Sequence, residues 1–195
     1  MRFCPASRVL LTASSVIGAL LLSSCAGRTS TGTEFTTGSD GISTVASEDR
    51  TATVTLKGQT LEGKSLDVVN AHRGKTIVIN VWGSWCPPCR AEAPLFDKVA
   101  REKADDGVVF VGINTRDPSR TPPIAFQSNY GVSYPSLYDP TGKIVMSGFP
   151  TGTLNPQALP ATVVLDRDGR IAARYQGPLS AEKLRKMIDP VVAEK

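Results

Sequence analysis

Cysteine and histidine are scarce in this chain, which has four cysteines and one histidine among its 195 residues. The length suits one domain with appendages and is too short for two full domains. A core of about 140 residues buries roughly two thirds of its unfolded surface and needs no disulfide framework to fold. Each of the four cysteines therefore requires its own explanation.

The N-terminal apolar run, residues 9–22, has only 14 residues, whereas a membrane-spanning helix needs about 20. It lies between a short basic start and a patch of small residues, which is the layout of an export signal. Residues 22–25 (LSSC) resemble the bacterial lipobox, in which the signal is cut before the cysteine and that cysteine receives lipid. We expect residues 1–24 to be a lipoprotein signal peptide that takes Cys4 with it, and Cys25 to become the lipidated first residue. The alternative is an N-terminal anchor helix or a buried core helix.

A large excess of positive charge is also missing from the expected mature chain. The full sequence has a net charge of +4. Removal of Arg2 and Arg8 with the signal leaves 20 basic residues against 18 acidic ones, a net charge of +2. This small excess gives no argument for a nucleic acid partner.

Residues 26–50 contain little apolar surface, because Ser, Thr and Gly occupy 14 of the 25 positions and only Phe35, Ile42 and Val45 are large and apolar. Such a composition cannot bury enough surface to order itself. We therefore predict a flexible tether over residues 25–50, with a reach of about 25–30 Å as a random coil. The alternative is a disordered tail without function, since a tether requires a lipid on Cys25.

Residues 51–195 alternate between short apolar runs and helical patterns, and we predict that they form one α/β domain. The predicted strands are 51–56, 65–69, 76–82, 108–114, 161–166 and 171–175, and the predicted helices are 86–103, 122–130 and a last one capped by Ser180. The first two strands form a small N-terminal β-hairpin. The order of the rest predicts a mixed central sheet flanked by helices.

Cys86 and Cys89 stand where a buried strand gives way to a helix, so their sulfurs can share one face of the first turn. Unpaired N–H groups at a helix N-terminus favour an anion, and such positions lower a thiol pKa from about 8.5 to about 3.5–7.5. Pro87 and Pro88 suit the start of a helix. This pattern predicts that Cys86 is an attacking thiolate and that Cys89 resolves the mixed disulfide.

Other uses of this cysteine pair fit less well. A structural zinc site needs four ligands, and the mature chain offers Cys86, Cys89, Cys25 near a terminus and the single His72. Haem attachment needs a histidine after the second cysteine, and that residue is Arg90. A purely structural disulfide remains open, although so small a loop contributes little stability.

The segment from Val81 to Pro94, VWGSWCPPCRAEAP, resembles the active site of the thioredoxin-like, membrane-anchored thiol–disulfide oxidoreductases of the TlpA/ResA type. The resemblance extends over residues 51–190 and implies a thioredoxin-like fold, with Cys86 and Cys89 as the redox pair. Glu92 matches a family glutamate that tunes the thiols and moves protons. From spacing alone, Glu92 would be read as a solvated surface glutamate.

The resemblance also implies a cis-proline beside the cysteines, and Pro160 stands at the matching place, before the strand that begins at Ala161. Its expected use is to turn backbone groups toward a substrate peptide docked over Cys86. Leu159 departs from the smaller or hydroxylated residue expected there, which puts substrate preference in doubt. Trp85 is expected either to shield the thiol and contact substrate or simply to pack.

Asn80 stands six residues before Cys86, where cytoplasmic thioredoxins carry a buried acid. An amide cannot accept a proton from Cys89, so Glu92 is the available carboxylate for acid–base work. Otherwise Asn80 is a strand amide satisfied by the backbone.

The resulting hypothesis is an enzyme that exchanges disulfides with proteins outside the cytoplasm without a cofactor or metal. The resemblance implies a reductase that acts on CxxCH sites of apocytochrome c, with electrons from a membrane thiol carrier. We also expect a monomer, attached to the membrane by the lipid on Cys25. The first alternative is an oxidant that introduces disulfides into exported proteins.

Two further classes stay open. A thiol peroxidase resembles a pattern with Ser or Thr three residues and Pro seven residues before the reactive cysteine, where this chain has Gly83 and Ile79. A non-enzymatic lipoprotein would not need Cys86 and Cys89. The Gly- and Pro-rich segment 147–159 allows no assignment beyond a connection or a loop beside the substrate groove.

Overall fold

The computed structural model describes residues 33–194. The predicted signal peptide, the predicted lipid site Cys25 and the first part of the predicted tether lie outside the described residues. Among the helices of residues 33–194, none combines the length and the apolar composition that crossing a membrane requires.

The described chain contains nine strands and five α-helices, with one short 3-10 helix at Ser47–Asp49. The strands are β1 (Thr36–Thr37), β2 (Ser43–Thr44), β3 (Lys57–Gln59), β4 (Ser65–Asp67), β5 (Thr76–Trp82), β6 (Val108–Thr115), β7 (Ser136–Asp139), β8 (Ala161–Leu165) and β9 (Ile171–Gln176). The helices are α1 (Val68–Ala71), α2 (Pro87–Lys103), α3 (Thr121–Tyr130), α4 (Lys143–Gly148) and α5 (Ala181–Ala193).

Seven strands form one mixed sheet in the order β1-β2-β9-β8-β5-β6-β7. The central strand β5 runs parallel to β6 and antiparallel to β8, and all seven of its residues are buried. This burial agrees with the near-continuous β-branched sequence of β5, which suits a strand covered on both faces. The predicted α/β class with a mixed central sheet is confirmed.

Side chains alternate between the two faces of the sheet, so β5 contributes to two separate cores. Val78 packs with residues of α2 and α5, such as Phe96 and Leu184. Ile77 and Ile79 point to the opposite face and pack with Leu56, Val145 and their neighbours. The period of two therefore divides the apolar residues between two layers.

The predicted tether boundary at residue 50 is wrong for the described part of that segment. Strands β1 and β2 form a hairpin whose second strand pairs with β9 at the edge of the sheet. Ile42 and Val45 are buried, and the Arg50 guanidinium makes a bidentate ion pair with Glu194 at 2.5 and 2.7 Å. Few apolar residues suffice here because the segment shares the core of the domain and does not build its own.

The predicted N-terminal hairpin exists as the two-stranded sheet of β3 and β4, but its first strand begins at Lys57 and not at residue 51. The preceding residues are extended: Thr53 bridges to Arg170, and Val54 and Leu56 are buried. Because buried and exposed residues alternate here, the sequence has the pattern of a strand, although Thr53 pairs with Arg170 and not with β4. Strand β7 and helix α4 were not predicted, since neither is long enough for a clear periodic pattern.

Candidate active site

The cysteine pair lies directly beyond the carboxyl end of the central strand. After β5 ends at Trp82, a short turn leads to Cys86, which is the N-cap of α2, and Pro87 is the first helical residue. Cys86 and Cys89 are joined with an S–S distance of 2.07 Å. The backbone N–H of Cys89 donates to Cys86 Sγ at 3.3 Å. The first turn of α2 therefore directs an N–H group at the sulfur that would carry negative charge.

Both sulfurs rest on an apolar layer. Cys86 is 3% exposed and Cys89 is 1% exposed. They pack with Leu61, Trp82, Ala93 and Phe126, and with the partly buried Leu159. The Trp82 indole stacks on Phe126 at 4.3 Å between ring centroids. It belongs to the same buried cluster as the cysteine pair and forms part of the site wall.

The position of the Trp82 side chain also explains why residue 112 of the neighbouring strand is a glycine. Its indole N–H donates to Ser136 Oγ of β7 at 3.3 Å, across β6. A Cβ at Gly112 would lie 2.7 Å from the indole nitrogen and 2.1 Å from Ser136 Oγ. Only glycine leaves room for this crossing, so the support beneath the cysteines depends on Gly112.

Glu92 is buried at 2% exposure, where the solvated alternative would require it to be exposed. Its carboxylate accepts hydrogen bonds from the Asn80 side chain at 3.0 Å and from the Leu179 backbone N–H at 3.0 Å. Burial raises the pKa of Glu92 to about 7, against the lowering effect of these two donors. A carboxyl group with this pKa, one helical turn from Cys89, can take up or release a proton near neutral pH.

The turn before Cys86 is held by Asp117 and Arg90, neither of which the sequence predicts as a site residue. Asp117 is buried, and its carboxylate accepts from the Ser84 backbone N–H at 2.9 Å, the Ser84 hydroxyl at 2.5 Å and the Asn114 side chain at 2.6 Å. On the other side, the Arg90 guanidinium donates twice to the Ser84 carbonyl, at 2.9 and 2.7 Å. The sequence signal that could have indicated this contact is the presence of polar residues, Asn114 and Asp117, where a buried strand ends.

The Leu159–Pro160 peptide bond is cis, as expected. The next residue, Ala161, pairs with Val81 of β5, which places Pro160 beside the end of the strand that leads to Cys86. The Gln176 side chain holds this segment by donating to the carbonyls of Ala158 and Pro160 at 2.6 and 3.3 Å. The segment before β8, which allowed no assignment from sequence, therefore borders the cysteine pair.

Trp85 is 44% exposed and lies across the turn before Cys86. A Cβ at Gly83 would come within 2.7 Å of its indole, so glycine permits this close approach. The guanidinium carbon of Arg116 lies 4.8 Å from the centroid of the Trp85 ring. The indole is thus placed by Gly83 beneath and Arg116 beside it, next to the reactive position.

Within residues 33–194, no three His, Cys, Asp or Glu side chains are grouped so that they could hold a metal ion. Asn80, the residue that replaces a buried acid, is itself buried and donates to Glu92. Asn80 and Glu92 therefore form one hydrogen-bonded pair beneath the start of α2.

A mixed sheet with a cysteine pair at the start of the helix after its central strand defines a thioredoxin-like thiol–disulfide oxidoreductase. The family model described as Redoxin matches residues 46–188. The chain belongs to this Redoxin family, and the resemblance inferred from the sequence is confirmed.

Two curated relatives illustrate the family. The chain is 30% identical over 132 residues to the thioredoxin-like protein YneN of Bacillus subtilis, a match over 67% of this chain and 73% of that protein. It is 36% identical over 121 residues to the thiol:disulfide interchange protein DsbE of Allochromatium vinosum, over 62% of this chain and 61% of that protein. The name of the second favours disulfide exchange over a peroxidase or a non-enzymatic lipoprotein.

Solved structures agree with the fold. A DsbF homologue from Corynebacterium diphtheriae matches with a TM-score of 0.71 and 31% identity, over 82% of this chain and 99% of that chain. A secreted thiol-disulfide isomerase from Corynebacterium glutamicum matches with a TM-score of 0.73 and 29% identity, over 84% of this chain and 99% of that chain. The thioredoxin-like fold predicted from the sequence is thereby confirmed.

Proposed function

We propose that this oxidoreductase reduces disulfides of exported proteins outside the cytoplasm, with Cys86 as the nucleophile and Cys89 as the resolving thiol. The observation that carries the proposal is the position of Cys86 at the N-cap of α2, where its sulfur accepts the Cys89 N–H at 3.3 Å. An anionic sulfur is favoured there, and only the thiolate attacks a disulfide efficiently.

The reaction is two successive exchanges. The Cys86 thiolate attacks one sulfur of a substrate disulfide, and the other substrate sulfur leaves as a thiolate that takes up a proton. Cys89 then loses its proton and attacks Cys86 Sγ, which releases the second substrate sulfur as a thiol. Two electrons pass to the substrate, both substrate sulfurs become thiols, and the Cys86–Cys89 disulfide forms.

Glu92 is proposed to accept the proton that Cys89 loses. It is the buried carboxyl group one helical turn from Cys89, and its pKa of about 7 suits proton transfer near neutral pH. Asn80, which donates to Glu92 at 3.0 Å, orients this carboxyl group. No cofactor is required, because the sulfur pair itself carries the electrons.

The substrate is proposed to bind beside Trp85 and the Leu159–Pro160 segment. Leu159 packs against the apolar layer that contains both cysteines, and Trp85 is exposed next to Cys86. An extended peptide laid along this segment would bring its own disulfide over Cys86.

The location and partners follow from the sequence pattern together with the relatives. The Corynebacterium glutamicum protein is described as secreted, and residues 1–25 of this chain have the layout of a lipoprotein signal ending at Cys25. We propose a lipid-anchored monomer outside the bacterial cytoplasm. Its proposed substrates include oxidised CxxCH sites of apocytochrome c, and its proposed electron source is a membrane thiol carrier.

The reduction potential of the Cys86–Cys89 pair tests the direction of exchange. The protein is equilibrated with glutathione buffers, and the fraction of free thiols is measured at each ratio. A potential near that of thioredoxin, about −270 mV, supports a reductase, whereas one near that of DsbA, about −120 mV, would establish the oxidant.

A trapping experiment tests the exchange itself. Cys89→Ala removes the resolving thiol, so disulfide-linked complexes with substrate proteins should accumulate in cell-envelope extracts. Cys86→Ala is the matched control and should trap far less, because only Cys86 stands at the N-cap of α2, where its sulfur accepts an N–H group. Equal trapping by both variants, or none by either, would contradict the proposed roles.

A further inference from the structure

Arg116 has an unusual backbone conformation at the edge of the site. Within residues 33–194 it is the one residue other than glycine with a positive φ, at 59°. It directly follows β6, so it lies at the same carboxyl edge of the sheet as the turn before Cys86. Such conformations are uncommon for residues with a side chain and concentrate at functional sites.

The Arg116 side chain joins two segments that border the cysteine pair. Its guanidinium carbon is 4.8 Å from the centroid of the exposed Trp85 ring, a cation–π geometry. Its Nη1 lies 3.5 Å from Gln157 Oε1, at the limit of a hydrogen bond. The guanidinium therefore sits between the residue that precedes Cys86 and the segment that leads to Pro160.

Two donors of this guanidinium lack an acceptor. Arg116 Nε and Nη2 are shielded from solvent, and neither donates to any of the described residues. A shielded donor without a partner lowers the stability of the fold, and more so when the group is charged. A ligand that displaces Gln157 and turns the guanidinium toward solvent would supply acceptor oxygens to these donors.

The surroundings of Arg116 are basic. Arg90 binds the Ser84 carbonyl, and Arg120 stacks on Tyr138, whose hydroxyl donates to the Asp117 carbonyl. Two carboxylates accompany these arginines: Asp117, which accepts three hydrogen bonds, and Asp139, whose carbonyl accepts the Arg116 backbone N–H at 3.2 Å. Three arginines against two carboxylates leave this side of the site with a net positive charge.

We propose that Arg116 binds an acidic side chain of the protein substrate, next to the substrate cysteine that reacts with Cys86. A carboxylate matches the fork of N–H donors on a guanidinium and would replace the long contact with Gln157. Substrate residues adjacent to the reacting cysteine must pass over Trp85, where Arg116 lies. This inference rests on the proposed function, and it makes Arg116 a residue that determines specificity.

The test uses three peptides with the same internal disulfide, which differ only in having Glu, Gln or Lys beside the cysteine. The second-order rate constant for their reduction is measured with the reduced full-length protein at one pH. We expect the Glu peptide to react about tenfold faster than the Gln peptide, the size of one charge-assisted contact, and the Lys peptide to be slowest.

The ratio of the rate constants for the Glu and Gln peptides is compared among variants. This ratio is independent of any change in the reactivity of Cys86 itself. Arg116→Gln should bring the ratio to about one, and Arg116→Gly should do the same without backbone strain, since glycine tolerates a positive φ. Arg73→Gln is the matched control and should keep the ratio, because this arginine is exposed and, among residues 33–194, its side chain bonds to Asn70 alone.

The outcomes separate this inference from the proposed function. Reduction of all three peptides at equal rates, or an unchanged ratio in both Arg116 variants, would overturn the role of Arg116 and leave disulfide exchange intact. Failure to reduce any of the peptides would contradict the proposed reductase itself.

Discussion

Buried polar residues around the cysteine pair have two different tasks. Glu92 is proposed to exchange protons near neutral pH, whereas Asp117 accepts three hydrogen bonds and holds the turn before Cys86. A change at Glu92 should alter the pH dependence of stability, and a change at Asp117 should alter the rate of disulfide exchange. Substitutions at these residues therefore separate chemistry from positioning.

Glu92→Gln should stabilise the protein at pH 8. The pKa of Glu92 is raised from 4.5 to about 7 in the native state, so between these values the native state holds a proton that the unfolded state has lost. Stability consequently falls as pH rises through this window, by up to about 3 kcal/mol, and stays lower above it. Urea denaturation at pH 4 and 8 should show a gain in the variant at pH 8 and little change at pH 4.

Glu102→Gln is the matched control for this measurement. Glu102 lies on the same helix but is exposed and paired with Arg185. Its substitution should give no gain at pH 8. A Glu92→Gln variant with the same pH profile as the unsubstituted protein would show that the carboxyl group is not buried as described.

Asp117→Ala should slow exchange because it releases the Ser84 turn. Three donors would lose their acceptor, at a cost of about 1–3 kcal/mol in the free energy of unfolding. Asp97→Ala is a close structural control, since Asp97 accepts from the N–H and hydroxyl of Ser133 in the same way, away from the cysteine pair. Both variants should lose stability in denaturation, but only Asp117→Ala should lower the peptide reduction rate.

At the scale of elements, the start of α2 should control the reactivity of Cys86. Pro87 and Pro88 have no N–H, so the Cys89 N–H directed at Cys86 Sγ and the dipole of α2 are what favour the thiolate. We expect the rate of alkylation of Cys86 in the Cys89→Ala variant to rise with a midpoint at about pH 3.5–7.5. A midpoint at the ordinary thiol value, about 8.5, would contradict the proposed nucleophile.

The N-terminal segment should contribute to stability although its sequence resembles a tether. A chain beginning at residue 51 loses the buried Ile42 and Val45 and the ion pair between Arg50 and Glu194, relative to one beginning at residue 33. Burial of such side chains is worth about 1.5–3 kcal/mol each. Chemical denaturation should therefore show a loss of about 3 kcal/mol or more. Equal stability of the two chains would restore the predicted boundary at residue 50.

Local patterns explain which elements the sequence could predict. Strand β5 was predicted with the same bounds, and α3 within one residue, because their apolar spacing and their proline and glycine signals are local. Strands β1 and β2 have two residues each and exist only because β9 offers an edge to pair with. Residues 43 and 174 are far apart in the chain, so their pairing produces no pattern in the local sequence.

The same distinction applies to the site. Cys86, Cys89 and Glu92 lie in one segment, so a single motif indicated all three. Asp117 and Arg116 reach the site through the parallel pairing of β5 with β6, which aligns Trp82 with Asn114. Their contribution required the register of the sheet and could not follow from spacing along the chain.

At the scale of the whole molecule, the lipid anchor is the main untested prediction. Mass spectrometry of the protein purified from membranes should find a mature N-terminus at Cys25 that carries acyl groups. Cys25→Ser is the direct control and should leave the signal uncleaved or the protein unacylated. An unmodified N-terminus at any other residue in the unsubstituted protein would contradict the lipobox interpretation.

The register of the sheet shows on which side of the domain the N-terminal segment enters. Thr36 aligns through β2, β9 and β8 with Val78, near the start of β5, whereas Cys86 follows the end of that strand. The chain therefore joins the sheet on the side away from the cysteines. An anchor at Cys25 would therefore leave the cysteine pair uncovered, so that both a protein substrate and a membrane thiol carrier could reach the reactive face.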